Sequence, residues 1–490
     1  MRSTLLGIAL VLVALLAGPA LAQPASPWTL PAAGSCAPSG GTHVRPGAPP
    51  EDAVSAPFKT GDTFAIDRVA VLERYLPDFL WTNRERFFYE GMRLEIGPCF
   101  RDYGPPEFFV AATEQGRGKA ALADGGGLAG WTAGLPFHPG EVAPDAKDAG
   151  LRWLWNVQNR YQAAGFRGPF RMTDLVGKTG RAEPFEGEMF KLLTANRADR
   201  PGYEAPGAKG RSFVAGGLFT KPFDAREYAW RQFRPDEMLR DAGRSDDLHA
   251  YVPQWRRVRR INSARTEGIY MPSFAVSMAP TQVLPSGGGA GEGSLGVVQA
   301  PGDAGASIQT KRSGYEGLEF RPLLYEVTVV GLHDVLAPIN AMVPSYPENP
   351  DREFGPWGLS FASDRWDLRR ALVLDLRAKQ TTGAEIEPRQ ILYVDLQTLQ
   401  PLYIATFDDK NEMTNVGMYV GRWSEDREAY PRWPDDPARA VRVIDPVGAA
   451  FANLAERGSW RRESWTNVST PPPDDEVKRL LSVNQLTKRR

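Results

Sequence analysis

The amino-acid sequence predicts a mainly β protein with flanking helices, an α+β fold built on one antiparallel sheet. Short apolar or alternating runs recur between turn residues along most of the chain, which is typical of antiparallel strands. The composition agrees, because 42 Pro and 49 Gly supply turns and 10% of the residues are aromatic. The sequence shows no internal repeat of fixed period. One sheet interrupted by a loop therefore explains the runs more simply than two domains.

The chain begins with the features of a cleavable secretory signal peptide over residues 1–22. Arg2 precedes an apolar run over residues 5–17, and the A-x-A sequence of residues 20–22 is a typical cleavage site. The run is shorter than the roughly 20 residues needed to cross a bilayer. We therefore expect an exported, periplasmic protein whose mature chain has no membrane span.

The two cysteines, Cys36 and Cys99, are candidates for a disulfide, because an exported chain meets an oxidising compartment. The alternative is two unpaired thiols. Cys36 lies in a lead segment, residues 23–56, whose Pro, Gly and Ala content predicts flexibility, so its position in space is open. The folded body is expected to begin at residue 57.

Helix-like and strand-like periodicities follow the lead segment. Apolar residues three or four apart predict helices over 66–80 and 145–164, and alternation predicts a strand over 92–96. The predicted meander of strands covers 181–193, 212–220, 228–233, 248–252, 258–261, 319–330, 366–376, 390–396, 402–407 and 418–423. Residues 279–317 are rich in Gly, Ala and Ser and are predicted to be a flexible insertion within this sheet.

The last part of the chain, residues 431–490, is predicted to be a helical extension of the β domain at 57–430. An Asp-Pro pair, typical of a helix cap and first turn, predicts a helix over 445–456. A final amphipathic helix is expected over 474–486.

Sequence signatures of catalysis, of metal sites and of nucleic-acid binding are missing. The four histidines stand far apart, without an H-x-x-x-H or C-x-x-C frame, so we expect neither a metal nor another cofactor. Neither G-x-S-x-G nor S-x-x-K occurs, which removes two common serine-nucleophile motifs. Lys and Arg number 58 against 59 Asp and Glu, so the molecule has no strong field to attract nucleic acid. These observations favour a binding protein over an enzyme.

The densest positive charge is a run that we call the arginine motif, formed by Arg256, Arg257, Arg259 and Arg260. On a strand these side chains would divide between both faces. One interpretation is a solvated strand braced by carboxylates. The other is recognition of a lipid headgroup or an acidic partner by guanidinium groups.

The order of several segments resembles the bacterial family called domain of unknown function 1329, over roughly residues 57–425. The segments are Phe87 to Pro98, Thr132 to Phe137, Ala149 to Tyr161, Tyr251 to Pro253 with the arginine motif, Leu324 to Pro338 and Tyr393 to Ala405. The resemblance implies an outer-membrane lipoprotein-sorting-like protein, similar to the periplasmic carriers LolA and LolB. It further implies a curved sheet or half-open barrel plugged by helices, an association with envelope exporters, and no catalytic residues.

Aromatic side chains are the candidates for lining an apolar cavity in such a sheet, with ordinary core packing as the alternative. The candidates are Trp153, Trp155, Trp230, Phe233, Trp255 and Tyr325. The sequence thus predicts a periplasmic carrier or chaperone that shields a lipid, an acyl chain or another hydrophobic molecule. Two other functions stay open: a structural accessory of an envelope lipid exporter, and an envelope hydrolase with an unrecognised site.

Overall fold

A computed structural model of the chain describes residues 28–36, 42–47, 49–52, 54–181, 184–253, 256–261, 268–272, 319–379, 386–455 and 458–487. The predicted signal peptide, the predicted insertion at 279–317 and Trp255 lie outside the described residues. Within the part of the chain that is described, no helix has the length and apolar character of a membrane span.

Thirteen strands of the described residues form one antiparallel sheet that curves without closing into a barrel. They are β1 (Gly165–Val176), β2 (Phe185–Leu193), β3 (Arg211–Lys221), β4 (Ala229–Pro235), β5 (Asp247–Val252), β6 (Arg257–Ile261), β7 (Tyr325–Ala337), β8 (Arg365–Ala378), β9 (Arg389–Asp395), β10 (Pro401–Phe407), β11 (Met413–Trp423), β12 (Ile444–Asn453) and β13 (Ser459–Glu463). Their order across the sheet is β6-β5-β4-β3-β2-β1-β13-β12-β11-β10-β9-β8-β7. The chain therefore builds one half outward from the centre and the other half inward from β7, beyond which the short strands Thr42–His43 and Glu51–Asp52 pair.

Within the described residues, the α-helices are short and lie towards the two ends of the chain. They are α1 (Asp78–Thr82), α2 (Glu107–Gly116), α3 (Ala149–Gln158) and α4 (Asp474–Leu481). Single turns or short runs of 3₁₀-helix are Ile66–Tyr75, Arg84–Arg86, Asp124–Gly126, Pro139–Glu141, Asp236–Leu239, Pro322–Leu324, Ser424–Asp426 and Val483–Thr487. Short strands outside the thirteen are Thr42–His43, Glu51–Asp52, Thr63–Phe64, Leu94–Ile96, Ala121–Leu122, Leu128–Ala129 and Gly180–Arg181.

One face of the sheet lines a single continuous apolar cluster, the inner cluster, whose members include Trp153, Trp155, Phe213, Trp230, Leu392 and Phe451. It joins Trp230 of β4 to Leu392 of β9, which belong to opposite halves of the sheet. The other face contributes to two separate clusters, one on each half. Strands this far apart share one cluster only where the sheet curves around it, so the inner cluster occupies the concave side.

The convex side is covered by the two ends of the chain. Residues 58–103, including α1, pack on the outer side of β7 to β12. Helix α4 packs Val477 and Leu480 on the outer side of β2 to β4. A disulfide joins Cys36 to Cys99, with their Cα atoms 5.2 Å apart. This bridge attaches part of the predicted flexible lead segment to the body.

The predicted strands of the meander are confirmed, since each corresponds to one of β2 to β11, although some ends shift by up to seven residues, as in β7, for which the predicted range is 319–330. Strand β1 was not predicted, because Gly165, Gly168 and Pro169 interrupt its alternation and because proline is rare in a central strand. The predicted helix at 66–80 is a 3₁₀-helix followed by α1.

The prediction of a helical extension at the C-terminus is wrong over residues 445–456. These residues form most of β12, which pairs with β11 and β13 in the middle of the sheet. Ala449 and Phe451 face the inner cluster while Ala450 and Ala452 face outward, so both faces of the strand are buried. That double burial outweighs the local helix-cap signal. The final helix is confirmed as α4.

Candidate ligand-binding site

Four of the predicted aromatic residues lie in the inner cluster. Trp153 and Trp155 project from α3, Trp230 from β4 and Tyr325 from β7, and each is at most 1% exposed. The polar atoms of Trp155, Trp230 and Tyr325 are paired, whereas the buried indole nitrogen of Trp153 has no hydrogen-bond partner among the described residues. The indole nitrogens of Trp155 and Trp230 donate to backbone carbonyls at 3.0 Å, and the Tyr325 hydroxyl accepts from Gln390 at 2.8 Å.

Phe233 lies on the other face of the sheet. It packs beside Val214 against helix α4, and not in the inner cluster. The reason is strand alternation, since Phe233 lies three positions after the inward-facing Trp230 on β4, and an odd offset places a side chain on the opposite face. The prediction that Phe233 lines an inner cavity therefore conflicts with its place in the sheet.

Helix α3 covers the concave side at close range. Trp153, Leu154, Trp155 and Val157 of α3 all belong to the inner cluster. Trp28 of the lead segment stacks edge-on against Trp153, with ring centres 5.2 Å apart. The inner face is thus shielded first by α3 and then by part of the lead segment.

A cavity of about 90 Å³ lies at the C-terminal end of α3. Its walls combine apolar side chains with buried charges, including Trp155, Phe213, Arg160, Lys191, Arg234 and Glu319. Ligand pockets typically enclose about 300–1,000 Å³. This cavity is therefore too small to enclose a whole hydrophobic ligand in this conformation.

The charges in the cavity wall converge on the carboxylate of Glu319, which is 1% exposed. The Lys191 ammonium donates to Glu319 Oε1, and the Gln158 amide donates to Oε2. Lys191 also donates to the side-chain oxygen of Gln162 at 2.5 Å. Arg234 Nη1 lies 4.0 Å from Glu319 Oε2. We call Arg160, Lys191, Arg234 and Glu319 the buried charge cluster.

A second carboxylate anchors Arg234 from the other side. Asp246 accepts from Arg234 Nε at 3.1 Å and from Nη2 at 3.0 Å, a two-point geometry. Gln232 donates to the same carboxylate at 2.8 Å. These bonds hold the guanidinium of Arg234 in place at the cavity wall.

Burial and neighbouring charges shift the ionisation of this cluster. Burial lowers the pKa of Lys191 to about 8, against the opposing effect of Glu319. Burial lowers the pKa of Arg160 to about 10. Burial alone would raise the pKa of Glu319, but the charges of Lys191 and Arg234 outweigh it and lower that pKa. At neutral pH the cluster therefore carries a carboxylate facing three cations.

Sequence motifs do not reveal this cluster, because its members are far apart in the chain. The one sequence feature that could have indicated the cluster is a charged residue at a buried position of a strand. Lys191 occupies an inward-facing position of β2, next to the inward-facing Met189. A charged residue at an inward position of an otherwise apolar strand is unusual unless it is paired.

The arginine motif is exposed to solvent. Arg256 is in a turn, and Arg257, Arg259 and Arg260 follow on β6, where all are exposed. Arg260 Nε lies 2.9 Å from a carboxylate oxygen of Asp247. Among the described strands, β6 pairs only with β5 and forms an edge of the sheet. Charged side chains on an edge strand discourage pairing with other chains, which agrees with the solvated interpretation.

Over the described ranges, no group of three or more His, Cys, Asp or Glu side chains is placed to hold a metal ion.

The family model described as "Protein of unknown function (DUF1329)" matches residues 84–272 and 302–436. No curated protein matches the chain. Among solved structures, a putative outer membrane lipoprotein-sorting protein domain from Vibrio parahaemolyticus is 13% identical, with 70% of this chain and 100% of that chain covered and a TM-score of 0.37. A DUF1329 family protein from Desulfovibrio piger is 13% identical, with 66% and 93% covered and a TM-score of 0.36. A LolA superfamily protein from Nitrosomonas europaea is 11% identical, with 66% and 94% covered and a TM-score of 0.28.

Proposed function

The chain belongs to the DUF1329 family of proteins of unknown function, and from its interior we propose that it is a periplasmic carrier for a hydrophobic molecule such as a lipid or an acyl chain. The observation that carries this proposal is the inner cluster, which runs along the concave side of an open sheet beneath helix α3 and the segments that pack around it. Binding in this proposal involves no covalent chemistry.

Helix α3 acts as a plug in this proposal. The cavity of about 90 Å³ is too small for an acyl chain, so a ligand takes the space now filled by side chains of α3, foremost Trp153 and Trp155. Apolar burial contributes about 25 cal/mol per Å², and the ligand re-buries the apolar surface that the displaced helix leaves. The exchange keeps the concave side dry in both states.

The disulfide supports a location outside the cytoplasm. Bonds such as Cys36–Cys99 persist in oxidising compartments, which include the bacterial periplasm. Export through the predicted signal peptide would bring the chain there.

The test is a fluorescence titration of protein purified from the envelope with N-phenyl-1-naphthylamine, a neutral probe that brightens in apolar surroundings. We expect saturable binding that dodecanol or dodecanoate displaces. Trp155→Leu alters the wall of the cavity and should change the probe affinity severalfold. Phe223→Leu is the matched control, because this aromatic side chain is 85% exposed. Absence of saturable binding, or equal effects of both variants, would contradict the proposal.

A second candidate function is that of an accessory to an envelope exporter, favoured by the exposure of the arginine motif on β6. Cross-linking in intact cells should then join the chain to a membrane protein. Substitution of all four arginines by Ala should abolish that cross-link while leaving probe binding unchanged.

A further inference from the structure

The carboxylate of Glu319 has the surroundings of a bound anion. It is buried, it accepts from Lys191 and Gln158, and the guanidinium of Arg234 lies 4.0 Å away. The charge of Arg160 also acts on it. A single carboxylate thus interacts with three cationic side chains, those of Arg160 just beyond α3, Lys191 of β2 and Arg234 of β4.

The cavity beside Glu319 has the size of a headgroup and not of a chain. It encloses about 90 Å³, a few times the roughly 30 Å³ that one water occupies in the liquid. Its apolar wall includes Trp155 and Phe213, both members of the inner cluster. A ligand with its charged end here would direct its apolar part along the concave side.

We propose that the buried charge cluster is the binding site for the anionic headgroup of the carried molecule, a carboxylate or a phosphate, and that Glu319 occupies this site in the ligand-free protein. This inference rests on the proposed function and specifies the ligand class. Entry of the ligand replaces one anion by another at Lys191, Arg160 and Arg234, so the cations stay paired throughout. No covalent bond is made or broken.

The geometry favours an anion exchange over a purely structural ion pair. Arg234 is held independently by Asp246, so it keeps its position when Glu319 moves away. Lys191 likewise retains Gln162 as a second acceptor. Glu319 itself lies in a short segment before the 3₁₀-helix at Pro322–Leu324, outside the strands of the sheet. Its displacement therefore breaks no sheet pairing.

The experiment compares three ligands that share one alkyl chain, dodecanoate, dodecyl phosphate and dodecanol, as competitors of N-phenyl-1-naphthylamine on the wild-type protein. Charge-assisted hydrogen bonds are worth about 1.5–3 kcal/mol, so at least one anion should displace the probe at a concentration about tenfold or more below that of dodecanol. Preference between the two anions identifies the headgroup as carboxylate or phosphate.

Two substitutions test the roles of the residues. Lys191→Met should weaken binding of the anions about tenfold more than binding of dodecanol, and so remove the preference for anions. Glu319→Gln keeps the shape of the side chain but removes the competing charge, and should strengthen binding of the anion about tenfold. The controls are Lys209→Met and Glu326→Gln, which change exposed residues. Circular dichroism verifies that each variant is folded.

The outcomes separate this inference from the proposed function. If the probe binds and dodecanol competes as well as both anions, the headgroup site is wrong while the carrier function stands. The same conclusion follows if Glu319→Gln is folded and binds anions no more tightly than the wild type. If the probe does not bind at all, the carrier function and the headgroup site both fail.

Discussion

Gly150 of α3 lies so close to the backbone of Val327 on β7 that a Cβ atom added to the glycine would be 2.2 Å from the Val327 carbonyl oxygen. This contact seats the helix against the first strand of the second half of the sheet. Because the obstructing atom belongs to the backbone of a paired strand, it cannot rotate away. The seating of α3 over the inner cluster therefore depends on a residue without a side chain.

Gly150→Ala should loosen α3 from the sheet. Overpacking costs about 1–3 kcal/mol, while alanine gains about 1 kcal/mol of helix propensity, so we expect a net loss of up to about 2 kcal/mol in unfolding free energy. If α3 is the plug, binding of N-phenyl-1-naphthylamine should also rise. Gly116→Ala on α2 is the control, since its added Cβ meets only the Ala133 carbonyl at 3.8 Å. Equal stability of the two variants would contradict this account.

Removal of the disulfide should destabilise the protein. The bridge closes a loop with a sequence separation of 63 residues, for which the chain-entropy model gives about 4 kcal/mol. A double variant, Cys36→Ser with Cys99→Ser, is compared with the oxidised wild type by urea unfolding. A reducing agent should lower the midpoint of the wild type and leave that of the double variant unchanged. An unchanged wild-type midpoint under reduction would show that the bridge does not contribute to stability.

Asp367 should make stability depend on pH. Burial raises the pKa of this carboxyl to about 6, although it accepts from the Tyr103 hydroxyl at 2.5 Å. The folded state thus keeps a proton that the unfolded state releases near about pH 4. This tighter proton binding stabilises the folded state fully below about pH 4, and the stabilisation is lost as the pH rises through about 6. The full loss is about 3 kcal/mol on this basis.

Asp367→Asn removes that titration. Urea unfolding from pH 4 to 7.5 measures the unfolding free energies of the variant and the wild type. As the pH rises, the wild type should lose stability relative to the variant. A constant difference across this range would rule out the raised pKa. Asp445, whose pKa burial also raises to about 6, should behave in the same way.

Arg369 should be far more important for stability than an exposed arginine in an ion pair. Its Nε and Nη2 donate to Asp395 at 2.8 and 3.2 Å, and both side chains are at most 3% exposed. Arg369→Met leaves the buried carboxylate without its cation, which costs about 3–5 kcal/mol. The exposed pair Arg244–Glu237 provides the comparison, because Arg244→Met should cost at most about 1 kcal/mol. Thermal and urea unfolding measure both values.

The arginine motif should contribute little to folding. All four side chains are exposed at the sheet edge, and the ion pair of Arg260 with Asp247 joins a side chain that is 73% exposed. The quadruple alanine variant should therefore lose at most about 1 kcal/mol of unfolding free energy. A loss of several kcal/mol would show that these arginines brace the sheet, and would remove the motive for a docking role.

Local periodicity along the chain was enough to locate most of the sheet. Alternation in β8, where Leu372 and Leu374 point inward and Ala371 and Val373 outward, repeats within a few residues and survives in any tertiary context. The periodic face of α3 and the final helix α4 are local in the same way. Membership of the DUF1329 family also follows from the order of such segments.

Tertiary structure alone decided the rest, because it depends on contacts between residues distant in sequence. Residues 445–456 carry a helix-cap signal, yet pairing on both sides makes most of them a strand. Phe233 and Trp230 look equivalent in sequence, but the register of β4 sends them to opposite faces. Lys191 and Glu319 are 128 residues apart, and only the folding of the sheet brings them together. Periodicity indicates which side of a strand is buried. A binding site depends in addition on the side chains that distant segments place opposite that side.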